Sequence, residues 1–497
     1  MSSNKRRKVN NGKPTSNSQS IETKDTSQKK ANTISVLIGA LSVFLLIVGA
    51  ISDTLGAFTG IREGVSGFFG VDNSTIHDQT NVPDVINTKE TPVLSVGSLK
   101  SKWTMLIYVS GDNSLDPWLN KNTLTDGMMH RLQNSQPVQS VQTAVLYDGP
   151  NGTYRVTIKS DGKWFEENLL ESSMGDSSTL SSFLVWGINS LPSEHYVVIL
   201  SGFSDSLHGF GWDEHSGNNT SKNLSATSLR RALENTYTAT GRKIDILHVD
   251  GSNFGLLEAL ASAENFADFI IAPTSNGWGV FPYEKFREAA GGLDRPVDYA
   301  IETANIYSSI ITEQRLPYVI AVYDMQKLRQ TIDVVGNFGN QLCRYIQENP
   351  ASNLKTIQDI RSVSQKYNSI GEDQYEIDSN DSYLDIVDFA VNVSHTIDDQ
   401  ALKSTALSVQ STVFGDKPFI IRQIAVSGEM IRFDPFYGKE VNIFVDLSRA
   451  NGLAVYYPSL NRPNQKYMDE YQKYINDEIF DITIDWGWSL FVKNCLQ

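Results

Sequence analysis

From Lys102 onward the apolar residues gather in short unbroken runs. "WTMLIYVS" (103–110), "TAVLYDG" (143–149), "YVVILSG" (196–202), "KIDILHVD" (243–250), "FIIAPT" (269–274) and "YVIAVYD" (318–324) are rich in β-branched and aromatic residues. Runs of this length with no polar face predict strands buried on both sides. Between them, "STLSSFLVWGINSL" (178–191), "SATSLRRALENTY" (225–237) and "FGLLEALASAENFA" (254–267) read as amphipathic helices. Such alternation predicts an α/β fold with a mostly parallel sheet covered by helices on both faces. A further helix near 295–313 opens with "LDRPVDYA", offering Asp294 as a cap and Pro296 in the first turn. Beyond about residue 325 the pattern turns to helices at 325–349, 383–395 and 398–413. Two shorter strands, "FIIRQIAV" and "GLAVYYP", follow, with a last helical stretch around "WGWSLFVKN". The chain therefore divides into an α/β domain over 101–325 and an appended α+β extension over 326–497, without internal repeats.

The first hundred residues follow other rules. Ala31 to Ser52 contains no charged residue. Roughly 20 apolar residues suffice to cross about 30 Å of hydrocarbon as a helix, so 31–52 is expected to span a membrane. The tail 1–30 lacks large apolar clusters and is expected to be disordered. Its eight Lys and Arg, against Glu22 and Asp25, predict a cytoplasmic N-terminus and a body outside the cell, in a single-pass arrangement. The competing reading is a signal peptide cut after "VGA"; the long polar lead before the apolar run favours the anchor. Residues 53–100 read as a juxtamembrane segment and linker. Seven N-x-S/T sequons (Asn73, Asn151, Asn218, Asn219, Asn223, Asn380, Asn392) all follow the span, in keeping with a glycosylated exterior body.

Charge narrows the partners. The basic tail leaves the rest of the chain more acidic than the overall net charge of −15, and an acidic body repels phosphate backbones, so nucleic acid is not an expected partner. Cys343 and Cys495, the chain's 2 cysteines, read equally as one disulfide or as two separate thiols. No cysteine–histidine spacing names a zinc site, and no acidic spacing names a calcium site.

The chemistry is concentrated at two strand ends, where ligands sit in open α/β sheets. One is "ILHVDGSNFG" (246–255), a strand that stops at Asp-Gly-Ser; the other is "VVILSGFSDSLHGFGWDEHSG" (197–217). Together with "KWTMLIYVSGDNSLD", "ADFIIAPTSNGWGVFPY", "SYLDIVDFA", "GLAVYYPS" and "DWGWSLFVKN", in this order, these segments resemble the clostripain-like cysteine peptidases, a branch of the caspase-like clan. The resemblance covers roughly residues 100–497. It implies a caspase-like three-layer α/β/α sandwich and a catalytic histidine and cysteine at the two strand ends. It also implies an acidic residue that accepts Arg or Lys before the cut bond and, in some members, calcium dependence. Counting from Trp212-Asp213-Glu214, the histidine position holds Phe203. Counting from Asp250 and Gly255, the cysteine position holds Ser252. Asp250 stands where the family places its basic-residue pocket. Gly255 is expected to let the backbone run close to the sheet.

These two replacements bear on the chemistry. A thiol is partly ionised near neutrality; a serine hydroxyl needs an adjacent base, and phenylalanine cannot supply one. Losing nucleophile or base in a comparable triad lowers turnover by on the order of 10⁶. Substitute bases are His208, in the glycine-rich loop, and His248, which shares a strand face with Asp250 if the strand is regular. Three readings follow. The first is a membrane-anchored inactive domain that binds basic peptides or a partner protein. The second is a hydrolase using Ser252 with a displaced histidine. The third is a structural surface protein whose cleft is vestigial.

Overall fold

The computed structural model describes residues 101–214, 222–369, 376–434, 439–460, 465–476 and 486–496. The basic tail, the apolar stretch 31–52 and the linker to residue 100 lie outside the described residues. Among the described residues no helix is long and apolar enough to cross a membrane.

In chain order the strands are β1 (Ser101–Ser110), β2 (Val141–Gly149), β3 (Gly152–Ile158), β4 (Trp164–Asn168), β5 (Ser193–Ser201), β6 (Ser204–Asp205), β7 (Gly209–Phe210) and β8 (Ile244–Asp250). They continue with β9 (Ala267–Pro273), β10 (Tyr318–Asp324), β11 (Lys366–Tyr367), β12 (Tyr383–Asp385), β13 (Ile420–Val426), β14 (Gly428–Asp434), β15 (Lys439–Val445) and β16 (Ala454–Tyr456). Nine of them make one sheet in the order β13-β10-β9-β8-β5-β1-β2-β3-β4. The central five, β9, β8, β5, β1 and β2, are mutually parallel. They include five of the six apolar runs. The sixth, β10, pairs antiparallel with β9 and carries β13 antiparallel beside it, while β3 and β4 form an antiparallel hairpin on the other edge.

Alternation along β1 shows the layering. Leu106 abuts Gly187, and the Tyr108 ring lies 6.3 Å from that of Phe183 in a tilted pair, both partners being in the helix Ser177–Ser190. Trp103, pointing the other way, lies 5.1 Å from Tyr299 of the helix Pro296–Glu313. Helices thus cover both faces, and Trp103 and Met105 through Val109 are fully buried. Ser225 caps the helix Ala226–Thr240 by accepting from Ser228 N at 3.1 Å.

Three details depart from the expected pattern. Asp294 does not cap its helix: the N-cap is Arg295, and Asp294 pairs with Lys102. "FGLLEALASAENFA" forms only one α turn, Leu257–Leu260, followed by a 3₁₀ turn over Ala261–Ala263. Leu256 still bridges Ala454, which delays the helix, and Asn265 at φ 71° stops any continuation. The extension beyond 325 is not an appendage: β13 is a strand of the main sheet, and all described residues fall in one unit, Ile76–Gln497. Helices Leu328–Glu348 and Gly487–Cys495 belong to this part and are joined by a Cys343–Cys495 disulfide, with Cα atoms 5.6 Å apart.

Candidate active site

Strand register aligns the carboxyl ends. Asp148 of β2 lies opposite Ser110 of β1, Ser201 of β5 opposite Val109, and Asp250 of β8 opposite Ser201. Past this rim run two loops. The first, after β5, carries Phe203, half-buried, and turns through the β6–β7 hairpin. The second, after β8, carries Ser252, also half-buried, and passes through Asn253 in the left-handed region at φ 56°. Gly255 N then bonds Pro273 O at 2.9 Å. A Cβ at 255 would overlap Thr274 Oγ1 and the Tyr323 hydroxyl, so only glycine fits this approach to the sheet.

Hydroxyls fasten the loops to each other. Ser204 Oγ donates to Ser252 O at 2.7 Å, and Ser206 Oγ donates to Asn253 O. Asn253 N donates to Ser275 O at 2.9 Å, and Asn253 Nδ2 donates to Asn368 O at 3.0 Å. The C-terminal part thereby backs the elbow directly. Ser252 Oγ accepts from Gly277 N–H at 3.0 Å. A hydrogen bond received by the oxygen does not remove its proton, and no imidazole among the described residues bonds it.

Both substitute histidines are committed elsewhere. His248 does share a face with Asp250, as strand alternation requires, but that face points into the core. Its ring lies 5.5 Å from Phe286, it is 1% exposed, and burial pushes its pKa down to about 3. His208 Nδ1 lies 3.0 Å from Asp205 Oδ2, and Asp205 also accepts from the Tyr383 hydroxyl. Neither serves Ser252. Asp250 is likewise enclosed: it is 2% exposed and accepts from the Tyr283 hydroxyl at 2.8 Å. Burial raises its carboxyl to about 7, the Tyr283 bond opposing. An open carboxylate for a basic side chain, as the sequence suggested, is not what this strand end presents.

A second group sits at the same rim. Asp112 follows β1, Asp148 lies near the end of β2, and Asp213 closes the glycine-rich loop. All three are buried, and one carboxylate oxygen from each lies within 4.8 Å of the others. Asp148 Oδ1 accepts from Thr153 Oγ1 at 2.6 Å, Asp148 Oδ2 has no hydrogen-bond partner among the described residues, and Asp213 Oδ2 accepts from Met174 N at 2.9 Å. Sequence spacing did not reveal this cluster because its three aspartates lie 36 and 65 residues apart along the chain and meet only through parallel strand ends.

A model of the clostripain family matches residues 107–492. The chain belongs to the clostripain family. Among solved structures it is similar to a secreted C11 cysteine protease from Bacteroides thetaiotaomicron in complex with an irreversible peptide inhibitor. The identity is 16% and the TM-score 0.53, with 76% of this chain and 97% of that chain covered. It is also similar to an inactive zymogen C11 protease from Parabacteroides distasonis, at 16% identity and a TM-score of 0.50, with 80% of this chain and 99% of that chain covered. These likenesses show the fold, a mixed sheet between helices of the caspase-like kind. No curated protein matches the chain at a significant level. Phe203 and Ser252 follow the carboxyl ends of β5 and β8, the two strand ends at which the sequence resemblance implied a catalytic pair.

Proposed function

We propose that this chain is a non-catalytic member of the clostripain family, anchored by residues 31–52 with its body outside the cytoplasm, and that it acts by binding a protein partner. The observation that carries the reading is the environment of Ser252. Its oxygen accepts from Gly277 N–H, the neighbouring strand-end loop carries Phe203 and no histidine at that place, and His248 and His208 are engaged by Phe286 packing and by Asp205. Without a base the hydroxyl stays protonated and acyl transfer has no starting point. The Cys343–Cys495 disulfide supports an oxidising compartment for the body.

Asp250 bears on the kind of partner. Gripping an arginine there requires the fully buried Tyr283 to give way. That favours a vestigial cleft, with basic partners drawn to the acidic outer surface instead.

The test uses the full chain in detergent micelles with a peptide library rich in Lys and Arg. Expected are no cleavage, no acyl adduct by mass spectrometry, and salt-sensitive binding of basic peptides that survives Asp250→Asn. Cleavage that disappears in Ser252→Ala refutes the non-catalytic reading. Protease protection of the body in intact cells refutes the exterior placement.

A further inference from the structure

We propose that the cavity at the turn between β2 and β3 binds one neutral pyranose ring of a saccharide. The cavity measures about 230 Å³ and is lined by Asn120, Tyr147, Asn151, Tyr154, Asn168 and Leu169, together with the main chain of 149–152. It is smaller than the usual ligand pocket of about 300–1,000 Å³, so the space suits a single ring and not a longer ligand. It shares no lining residue with the Ser252 elbow, and the inference stands whether or not Ser252 reacts.

Amides from three parts of the chain meet here. Asn120 follows the short helix Asp116–Leu119, Asn151 sits in the turn, and Asn168 ends β4 opposite Tyr154 of β3. Asn151 and Asn168 are exposed, and their side chains make no hydrogen bond among the described residues. Asn120 accepts from Lys121 N at 2.7 Å and donates to Asp116 Oδ1 at 3.0 Å, which leaves it one N–H and one lone pair. An amide offers donor and acceptor together, and so does each hydroxyl of a sugar. A compact ring whose hydroxyls radiate on several sides can engage amides that come from separate elements. Leu169 and Pro150 supply apolar surface for its C–H groups.

Charge selects a neutral ligand. No lining residue carries a charge. Lys121, beside Tyr154, is paired with Glu166, so nothing in the lining attracts an anion. The carboxylate of Asp116 is occupied by the Tyr147 hydroxyl at 2.6 Å and by Asn120. A cation seeks the face of an aromatic ring, yet the Tyr154 ring is already engaged by Tyr147, stacked at 5.0 Å, and by the Lys121 ammonium 5.2 Å from its centroid. A ring engaged in this way offers a ligand its electropositive edge, which suits a hydroxyl oxygen.

The experiment takes the full chain in a detergent without a sugar headgroup, made in a host that leaves its sequons unmodified. Methyl glycosides of glucose, galactose, mannose and N-acetylglucosamine are titrated in turn, with binding read by saturation-transfer nuclear magnetic resonance and calorimetry. At least one is expected to bind saturably at one site per chain, undisplaced by arginine amide or inorganic phosphate. Asn168→Ala is expected to weaken that binding about tenfold, and Asn168→Trp, which fills the cavity, to abolish it. Both variants should keep the urea midpoint of the unmutated chain, because Asn168 is exposed and makes no side-chain hydrogen bond among the described residues. Failure of all the glycosides to bind the unmutated chain overturns the proposal, whatever the variants do. So does unchanged affinity in both folded variants, or displacement of the sugar by arginine amide or phosphate.

Discussion

His248 gives a prediction whose sign and size follow from its surroundings. The ring is 1% exposed against Phe286, its Nδ1 lacks a hydrogen-bond partner among the described residues, and burial depresses its pKa from 6.5 to about 3. In the unfolded chain the same imidazole takes up a proton near its ordinary value. Because the folded pKa is the lower one, the unfolded state binds more protons between the two values. His248 therefore contributes full stability above pH 6.5 and loses it as the pH falls toward 3. The loss is about 1.4 kcal/mol per pH unit, reaching about 2 kcal/mol near pH 5 and about 3 kcal/mol near pH 4. His248→Leu removes this penalty. At neutral pH it also removes an unpaired nitrogen worth about 1–3 kcal/mol, which offsets imperfect packing, so the two proteins are expected to have similar stability there. The assay is a urea midpoint measured across pH for both proteins, whose carboxylates are otherwise identical. The leucine variant should pull ahead progressively below pH 6.5. Parallel profiles would refute the claim that this imidazole stays neutral in the core.

Asp250 should show the opposite dependence. Its carboxyl is raised from 3.8 to about 7, so its contribution is full below 3.8 and is lost as pH rises through 7. Asp250→Asn should gain on the unmutated chain over that window by on the order of 4 kcal/mol, and a flat difference in urea midpoints would contradict the burial argument. Removing the disulfide with Cys343→Ser and Cys495→Ser frees a loop spanning a separation of 152 residues. The chain-entropy model assigns this about 5 kcal/mol, to be read as a lowered midpoint; equal midpoints with and without reductant would count against the bridge. Gly255→Ala should destabilise by about 1–3 kcal/mol through overlap with Thr274 and Tyr323, and an unchanged midpoint would show the elbow to be looser than described.

The parallel core was legible because strands buried on both faces must be apolar throughout, and β1, β2, β5, β8 and β9 are written that way. The edge hairpin β3–β4 was not foreseen. One side of it meets water, so "GTYRVTI" and "WFEEN" mix polar and apolar residues and give no long run. The place of β13 in the main sheet was hidden too, because the 95 residues 325–419 separate it from its partner β10. At the site, the elbow at Asp250 and the need for glycine at 255 were both readable. What could not be read was the enclosure of Asp250. It depends on Tyr283, contributed 33 residues later by a helix whose packing no local pattern encodes. The three aspartates are the same problem enlarged, since proximity there comes from register and not from spacing.

The lacing of the two loops has a consequence for how such a protein can change over generations. The main chain at 252 and 253 is held by the hydroxyls of Ser204 and Ser206 and by Ser275, with the Ser252 side chain adding one bond from Gly277 N–H. A substitution at 203 or 252 therefore leaves most of the loop's hydrogen bonds in place, so the chemistry of these two side chains can change over generations with little refolding around them.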